Sequence, residues 1–313
     1  MKERKSFSFV PFCYAQSQTI ESLKTTHLEK FCKESNPYSE VEVDSLAHLL
    51  DELPKEEDRL HLGLVFRGHS DSSWKIQSSF FRKLAEIGEN YASSSPNVPV
   101  WGKADFSFLV ESFKENLDLQ NQEAPDGNQL LALMQHYGLP TPLIDFTESL
   151  DTALFFSFNP LPLSNEQRVA VFAIDVGKLH SFTFNSQDRT DVDSVDTESL
   201  KSNNFDSDQL SNGDLVRPSE FWDIRLSRQK ALFMWQETPF LENFREFLIR
   251  LNAPKGTAVK FILPITEREK VLEYLKKQKI TEETLFPDME KIAKETHSAF
   301  CNKLLHHSTQ SKN

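Results

Sequence analysis

Two spacings of hydrophobic residues recur along the chain, one typical of strands and one typical of helices. Short apolar runs bounded by polar clusters predict buried strands at 62–67, 168–176 and 258–263, and alternation predicts a shorter strand at 40–43. The clearest helical stripe comprises Phe106, Leu109, Val110, Phe113 and Leu117. Strands and helices are interspersed without the regular strand–helix–strand repeat of a parallel sheet. The pattern therefore predicts an α+β fold, with a mixed sheet and surrounding helices in a single domain.

One stretch, 185–214, interrupts these patterns. It is dense in Asp, Ser and Asn and has few large apolar residues, so burial would not offset the entropy lost on ordering it. We interpret it as a disordered, mobile acidic insertion. The predicted organisation is an irregular lead-in at 1–40, a first part of the domain at 41–184, this insertion, a second part at 215–305 and a disordered tail at 306–313.

Charge and cysteine content narrow the classes of function. The formal net charge of −12 argues against a surface that neutralises a nucleic-acid backbone, so nucleic-acid binding is not expected. The three cysteines, Cys13, Cys32 and Cys301, have neither metal-ligand nor redox spacing, which predicts free thiols in a reducing compartment. The His306–His307 pair lacks carboxylate or cysteine partners, so no metal site is expected.

Membrane association is also not expected. No stretch is long and apolar enough for a transmembrane helix. The apolar segment near the N-terminus is short and contains Ser8 and Pro11, unlike the uninterrupted apolar region of a secretory signal. These features predict a cytoplasmic protein.

The predicted strand at 62–67 ends in Arg67, and Gly68 then allows the backbone to bend. An arginine at the edge of a sheet suits a planar, bidentate interaction with a phosphate or carboxylate better than a lysine does. Alternatively, Arg67 forms an internal ion pair that fixes the turn, for which Asp145 is the natural partner. The sequence leaves both interpretations open.

A second group of polar residues follows a predicted helix that contains the apolar segment 130–134. Its final turn carries His136 and Tyr137, and Gly138 suits the left-handed position that commonly ends a helix. His136 and Tyr137 are candidates for an acid–base pair or a stacking surface. The alternative is a buried structural pair that hydrogen-bonds to the backbone. Further polar residues in an otherwise apolar setting favour a site here, and these are Thr141, Asp145 and Thr147.

Three blocks of sequence carry recognisable motifs. The first is Phe66-Arg67-Gly68 followed by Ser70, Asp71 and Trp74; the second, at 135–147, reads Gln-His-Tyr-Gly-Leu-Pro-Thr-Pro-Leu-Ile-Asp-Phe-Thr; the third, at 284–289, reads Thr-Leu-Phe-Pro-Asp-Met. In this order they resemble the FRG domain family over nearly the whole chain. Pro142 and Phe146 depart from that pattern, in which Arg and Trp are usual. The resemblance implies a role in bacterial stress or phage defence.

The motif at 66–68 is also similar to the first element of the Arg-Ser-Glu class of ADP-ribosyltransferases, in which an aromatic-Arg-Gly strand holds the pyrophosphate side of NAD. A dinucleotide phosphate needs a guanidinium and a backbone that can approach closely. That class also has a late Glu-x-Glu motif, whereas Glu40-Val41-Glu42 precedes the arginine. The role of its late glutamate would have to fall to Gln229, Gln236 or Glu237. A glutamine, however, lacks the charge of a carboxylate.

The resemblance implies a nucleotide-binding cleft, with NAD as a substrate and no permanently bound cofactor. The expected catalytic residues are Arg67, His136, Tyr137 and Gln229. The expected nucleotide-binding residues are Arg67, Gly68, Trp74, Thr141, Asp145 and Thr147. On this interpretation the protein transfers ADP-ribose or cleaves NAD. The alternative is a non-catalytic module that binds a ligand or a protein partner, which the position of Glu40-Val41-Glu42 favours.

Overall fold

The computed structural model describes residues 28–61, 63–92, 103–120, 128–162, 164–179, 215–216, 224–236 and 244–287. Its strands are β1 (Tyr38–Glu42), β2 (Leu64–His69), β3 (Leu143–Thr147), β4 (Arg168–Asp175), β5 (Leu215–Val216), β6 (Ala231–Trp235) and β7 (Ala258–Pro264). Its α-helices are α1 (Leu46–Glu52), α2 (Glu56–His61), α3 (Ser79–Ala92), α4 (Lys103–Leu119), α5 (Asn128–His136), α6 (Leu150–Phe158), α7 (Ile224–Arg228), α8 (Phe244–Arg250), α9 (Arg268–Lys277) and α10 (Glu282–Leu285).

Within these ranges the strands form one seven-stranded sheet in the order β1-β7-β4-β2-β3-β6-β5. The β1–β7 pair is parallel and the other neighbours are antiparallel, so the sheet is mixed. The predicted α+β fold is confirmed. Strands from both sides of the stretch 185–214 share this sheet. The predicted insertion and the tail at 306–313 lie outside the described residues, as do residues 1–27 of the predicted lead-in.

Helices cover both faces of the sheet. The residues of β2, β4 and β7 that point to one face pack against α6 and α9, with Phe66 and Phe261 among the buried side chains. The opposite face packs against α8 through Phe247. At the β3–β6 side of the sheet, α3, α4 and α5 enclose a third cluster that includes Phe233 and Trp235. None of the helices in the described part of the chain is long and apolar enough to cross a membrane.

Gly68 lies inside β2, opposite Val171 of β4, and the strand continues to His69. The expectation that Gly68 bends the chain away from the sheet is therefore wrong. A side chain at this position would overlap the carbonyl oxygen of Ala153 in α6 and lie 2.5 Å from Ser157 Oγ. Glycine is needed here because the backbone of α6 packs directly against the strand.

Candidate functional site

The sheet opens between β2 and β3. These strands pair at one position, where Phe66 lies opposite Thr147. Beyond it, β2 pairs with β4 and β3 pairs with β6, but residues 67–69 and 143–146 form no ladder with each other. We call the space between these two segments the β2–β3 cleft.

Arg67 bridges the β2–β3 cleft. Its side chain leaves β2 on the same face as Phe172 of β4, since the two residues are paired. The guanidinium donates from Nη1 to the backbone oxygen of Asp145 at 2.6 Å and from Nε to His69 Nε2 at 2.8 Å. Within the described part of the chain, Nη2 makes no hydrogen bond. The side chain is 17% exposed, so the guanidinium is largely buried and is fixed by these two hydrogen bonds.

The carboxylate of Asp145 does not form a closed ion pair with Arg67. Its Oδ2 lies 3.8 Å from Arg67 Nη1, and the Asp145 side chain is 59% exposed. Its Oδ1 accepts a hydrogen bond from the Gln135 amide. Burial by the surrounding protein nevertheless raises the pKa of Asp145, and the Arg67 guanidinium opposes this effect.

A chain of hydrogen bonds connects this carboxylate to the start of α3. Thr141 donates from Oγ1 to Gln135 Oε1 at 2.5 Å, so Gln135 is held between Thr141 and Asp145. The backbone nitrogen of Thr141 donates to Ser79 Oγ at 3.0 Å, and Phe80 N donates to the Thr141 carbonyl at 3.1 Å. Hydrogen bonds that begin at the start of α3 thus hold Gln135, Thr141 and Asp145 together with Arg67 in one network.

His69 orients Arg67 and was not among the predicted site residues. It is buried, and its Nε2 must be unprotonated to accept the hydrogen bond from Arg67. Burial and the charge of Arg67 lower the pKa of His69 to about 3, so the ring is neutral at physiological pH. The ring packs edge-on against Phe172 at a centroid distance of 5.2 Å. Strand alternation could have identified it, since residues two apart share a face.

Two exposed aromatic residues lie next to members of this network. Trp74 is 55% exposed, and its ring centroid lies 6.1 Å from that of His69. Tyr137 is 69% exposed and follows the last residue of α5. Gly138 has a φ of 79°, and Leu139 N donates to Met134 O at 2.9 Å, which confirms the predicted left-handed helix end. The side chain of His136, a predicted catalytic residue, lies outside the described residues.

Gln229 and Thr147 are not joined to the Arg67 network. The Gln229 amide donates to Leu285 O at 3.2 Å, at the start of the third sequence motif. Thr147 donates from Oγ1 to the Gln229 carbonyl at 2.6 Å and accepts from Ser149 N at 3.0 Å. These contacts connect β3, α6 and α10 on the side of the sheet away from Arg67. Gly68 likewise faces α6.

The chain also contains a late Glu-x-Glu, Glu267-Arg268-Glu269, which the sequence interpretation overlooked. Glu267 accepts a hydrogen bond from Leu46 N at 3.2 Å and pairs with Lys270 at 2.6 Å. Arg268 donates to the carbonyl oxygen of Phe158 at 2.8 Å. These contacts fix the start of α9 against α1 and α6, and none of them reaches the β2–β3 cleft.

No group of three or more metal-ligating side chains occurs among the residues that the structure describes. Comparison with curated proteins and with solved structures found no match for the chain. A family model described as the FRG domain matches residues 63–166. The matched range includes β2, β3 and the helices between them, and thus all members of the network around Arg67. Residues 63–166 are thus similar to an FRG domain, and Arg67, which bridges the β2–β3 cleft, lies within this matched range.

Proposed function

We propose that the β2–β3 cleft binds a nucleotide of the NAD type, and that Arg67 holds a phosphate of this ligand. The observation that carries the proposal is Nη2 of the Arg67 guanidinium, which makes no hydrogen bond within the described part of the chain. Asp145 O and His69 Nε2 fix the other donors, at 2.6 and 2.8 Å. A preorganised guanidinium loses little entropy on binding an anion, and its planar donors match two phosphate oxygens.

The electrostatic balance around Arg67 supports an anionic ligand. Burial lowers the pKa of Arg67, while the charge of Asp145 opposes this effect. The carboxylate at 3.8 Å is exposed, and water therefore screens its attraction for the guanidinium. A phosphate that approaches Nη2 would meet a cation that is already partly desolvated and not neutralised by a close partner. The cost of desolvation at binding is correspondingly small.

The exposed aromatic residues give the ligand a second point of contact. Trp74 and Tyr137 present flat, accessible rings beside His69 and at the end of α5. A base or nicotinamide ring can stack on such a surface, with a contribution of about 1–3 kcal/mol per stacked base. A nucleotide combines a phosphate for Arg67 with an aromatic ring for these side chains, unlike a simple carboxylate ligand.

The proposal also includes a reaction, in which the protein cleaves the bound nucleotide. Cleavage of the bond between ribose and nicotinamide develops positive charge on the ribose, which a nearby carboxylate stabilises. Asp145 supplies the accessible carboxylate of the cleft, in place of the late glutamate of ADP-ribosyltransferases. On this mechanism the protein transfers ADP-ribose or hydrolyses NAD.

A non-catalytic binding module is the second candidate function. The contacts of Gln229 and Glu267, the late residues that could replace a catalytic glutamate, favour it. The Gln229 amide is engaged by Leu285 O, and Glu267 is engaged by Leu46 N and Lys270, so neither late residue is directed to the cleft. Asp145 is itself held by Gln135. In this case the ligand would be recognised and released unchanged.

The test compares wild type with Arg67→Ala and Arg67→Lys in thermal melts with and without millimolar NAD, alongside an assay for nicotinamide release. Arg67→Ala leaves the acceptors His69 Nε2 and Asp145 O without their donor, which costs about 1–3 kcal/mol by itself. The informative quantity is therefore the rise in Tm caused by NAD, measured separately for each variant. Arg168→Ala, which removes an exposed arginine that pairs with Glu42 at 2.8 Å, is the control.

We expect NAD to raise the Tm of wild type and of Arg168→Ala but not of Arg67→Ala, with an intermediate effect for Arg67→Lys. Nicotinamide release by wild type would identify an enzyme, and stabilisation without release would identify a binding module. If NAD neither stabilises wild type nor is cleaved by it, NAD is not the ligand. Equal stabilisation of wild type and Arg67→Ala would show that Arg67 does not hold the phosphate.

A further inference from the structure

Thr141 has no accessible surface, so any influence it has on a ligand of the β2–β3 cleft must pass through a residue that it contacts. Its hydroxyl donates to Gln135 Oε1 at 2.5 Å and makes no other hydrogen bond within the described residues. Gln135 is half-buried and in turn donates from Nε2 to Asp145 Oδ1. Thr141 therefore reaches the cleft through the side-chain amide of Gln135.

The two hydrogen bonds of the Gln135 side chain differ in direction. An ionised carboxylate only accepts hydrogen bonds, so the amide must turn its NH2 group toward Asp145. The other end of the amide, Oε1, can only accept and needs a donor, which the Thr141 hydroxyl supplies. Without that donor, Oε1 would be left unsatisfied beside a buried side chain. The hydroxyl thus favours the one orientation of the amide that serves the carboxylate.

The backbone on either side of this contact is fixed. Thr141 lies between Pro140 and Pro142, whose rings restrict φ. The N–H of Thr141 donates to Ser79 Oγ at 3.0 Å, and its carbonyl accepts from Phe80 N at 3.1 Å. The residue that it holds, at position 135, belongs to the last turn of α5. The donor and the amide are therefore held in place before any ligand binds.

We propose that Thr141 and Gln135 are positioning residues for Asp145, in which the hydroxyl fixes the amide and the amide fixes the carboxylate. The proposal rests on the function proposed above, in which Asp145 stabilises positive charge on the ribose. Since Gln135 holds Oδ1, the second oxygen, Oδ2, is the one available to the substrate, and it makes no hydrogen bond among the described residues. A carboxylate held in one orientation needs little reorganisation as charge develops.

The charge of Asp145 depends on the same amide. Burial raises the pKa of Asp145, whereas the charges of Arg67 and Arg82, the backbone N–H of Asp145 and the hydrogen bond from Gln135 lower it. A rotated amide would remove this hydrogen bond and present an oxygen to the carboxylate, which disfavours the ionised form. One orientation of Gln135 therefore keeps the carboxylate both in place and charged.

The first test follows the side-chain NH2 resonance of Gln135 by 15N NMR as the pH is lowered, in the full chain without ligand. Thr141→Val removes the hydroxyl at nearly constant volume, and Thr141→Ser keeps it. Thr152→Val is the matched control, because Thr152 is also buried and its Oγ1 has no hydrogen-bond partner among the described residues. The Gln229 amide, which donates to the uncharged Leu285 O, is the internal reference.

We expect the Gln135 resonance to shift with the protonation of Asp145 in wild type, Thr141→Ser and Thr152→Val, while the Gln229 resonance does not follow it. The shift should disappear in Asp145→Asn, which assigns it to this carboxylate. It should also disappear in Thr141→Val, because the amide no longer holds one orientation. The same titration in Thr141→Val as in wild type, or its absence from wild type, would overturn the positioning role.

Nicotinamide release from NAD supplies a second readout. Thr141→Val should lower kcat about tenfold with little change in KM, as the loss of one hydrogen bond in the transition state predicts, and Thr141→Ser should restore it. Thr152→Val should behave as wild type. An equal kcat for Thr141→Val and wild type would count against the proposal. If wild type releases no nicotinamide, the proposed reaction fails, and the NMR titration still decides whether Thr141 and Gln135 position Asp145.

Discussion

Gly68→Ala tests whether the glycine of the Phe66-Arg67-Gly68 motif is needed for packing or for ligand binding. The Cβ of an alanine would overlap the Ala153 carbonyl oxygen, lie 2.9 Å from the Ala153 carbonyl carbon and lie 2.5 Å from Ser157 Oγ. Real Cβ atoms do not approach backbone atoms this closely, so something must move. We expect a loss of stability with no direct effect on the cleft, because residue 68 faces α6 and Arg67 faces the other side of the sheet.

The size of the effect follows from what would have to move. The obstructing atoms belong mainly to the backbone of α6, which cannot rotate away as a side chain can. This helix is capped by Ser149, whose side chain accepts from Thr152 N, and its Ser157 hydroxyl donates to Ala170 O at 3.0 Å. Relief therefore requires the helix to shift away from the sheet and lose the hydrogen bond from Ser157 to Ala170 O. Overpacking of a rigid core costs about 1–3 kcal/mol, and we expect the upper end, about 3 kcal/mol.

The assay is urea unfolding followed by tryptophan fluorescence, together with thermal melts. A loss of about 3 kcal/mol corresponds to a fall in Tm of about 6–12 °C for a domain of this size. Gly177→Ala is the control, since its Cβ would meet only Asp175 Oδ1, at 3.3 Å, and the expected change is about 0.5 kcal/mol or less. Equal unfolding midpoints for Gly68→Ala and wild type would refute the packing argument. Lost NAD binding at unchanged stability would assign Gly68 to the ligand instead.

Two further predictions concern His69 and Gln229. The pKa of His69 is about 3 in the folded protein against 6.5 for an ordinary histidine, so unfolding takes up a proton between these pH values. The free energy of unfolding should fall as the pH drops through this window, by at most about 1.4 kcal/mol per pH unit, and His69→Gln should reduce that fall in urea titrations at pH 7 and 4.5. An equal fall in both proteins would contradict the assignment. Gln229→Ala should lower the free energy of unfolding by about 1 kcal/mol, because the hydrogen bond to Leu285 O is lost, and leave NAD binding unchanged. A loss of NAD binding at unchanged stability would instead show that Gln229 belongs to the binding site.

The elements that depend on local sequence could be predicted. The apolar stripe from Phe106 to Leu117 lies in α4, and the glycine signal at 138 ends α5, because helix periodicity and capping involve residues a few positions apart. A contact between Arg67 and Asp145 was one of the two interpretations that the sequence left open, and the structure shows it. The sequence did not specify that the backbone oxygen of Asp145 is the closer partner.

The features that depend on distant partners could not be predicted. The opening of the sheet follows from which strands pair with β2 and β3, and their register is set by residues of β4 and β6 far along the chain. The packing role of Gly68 depends on the approach of α6. The placement of Gln229 depends on Leu285, more than fifty positions away, and the sequence motif alone suggested a catalytic role.

The order of strands in the sheet determines when the domain can assemble. Strand β7 lies between β1 and β4, so β1 gains its neighbour only after the chain has continued to β7, and Lys260 pairs with Glu40 across 220 positions. Such contacts give a high contact order, for which slow folding is typical. A fragment limited to residues 63–166 would leave β2 without β4, exposing a hydrophobic edge and a tendency to aggregate. An expression fragment that folds must therefore extend from β1 to β7, well beyond the matched range.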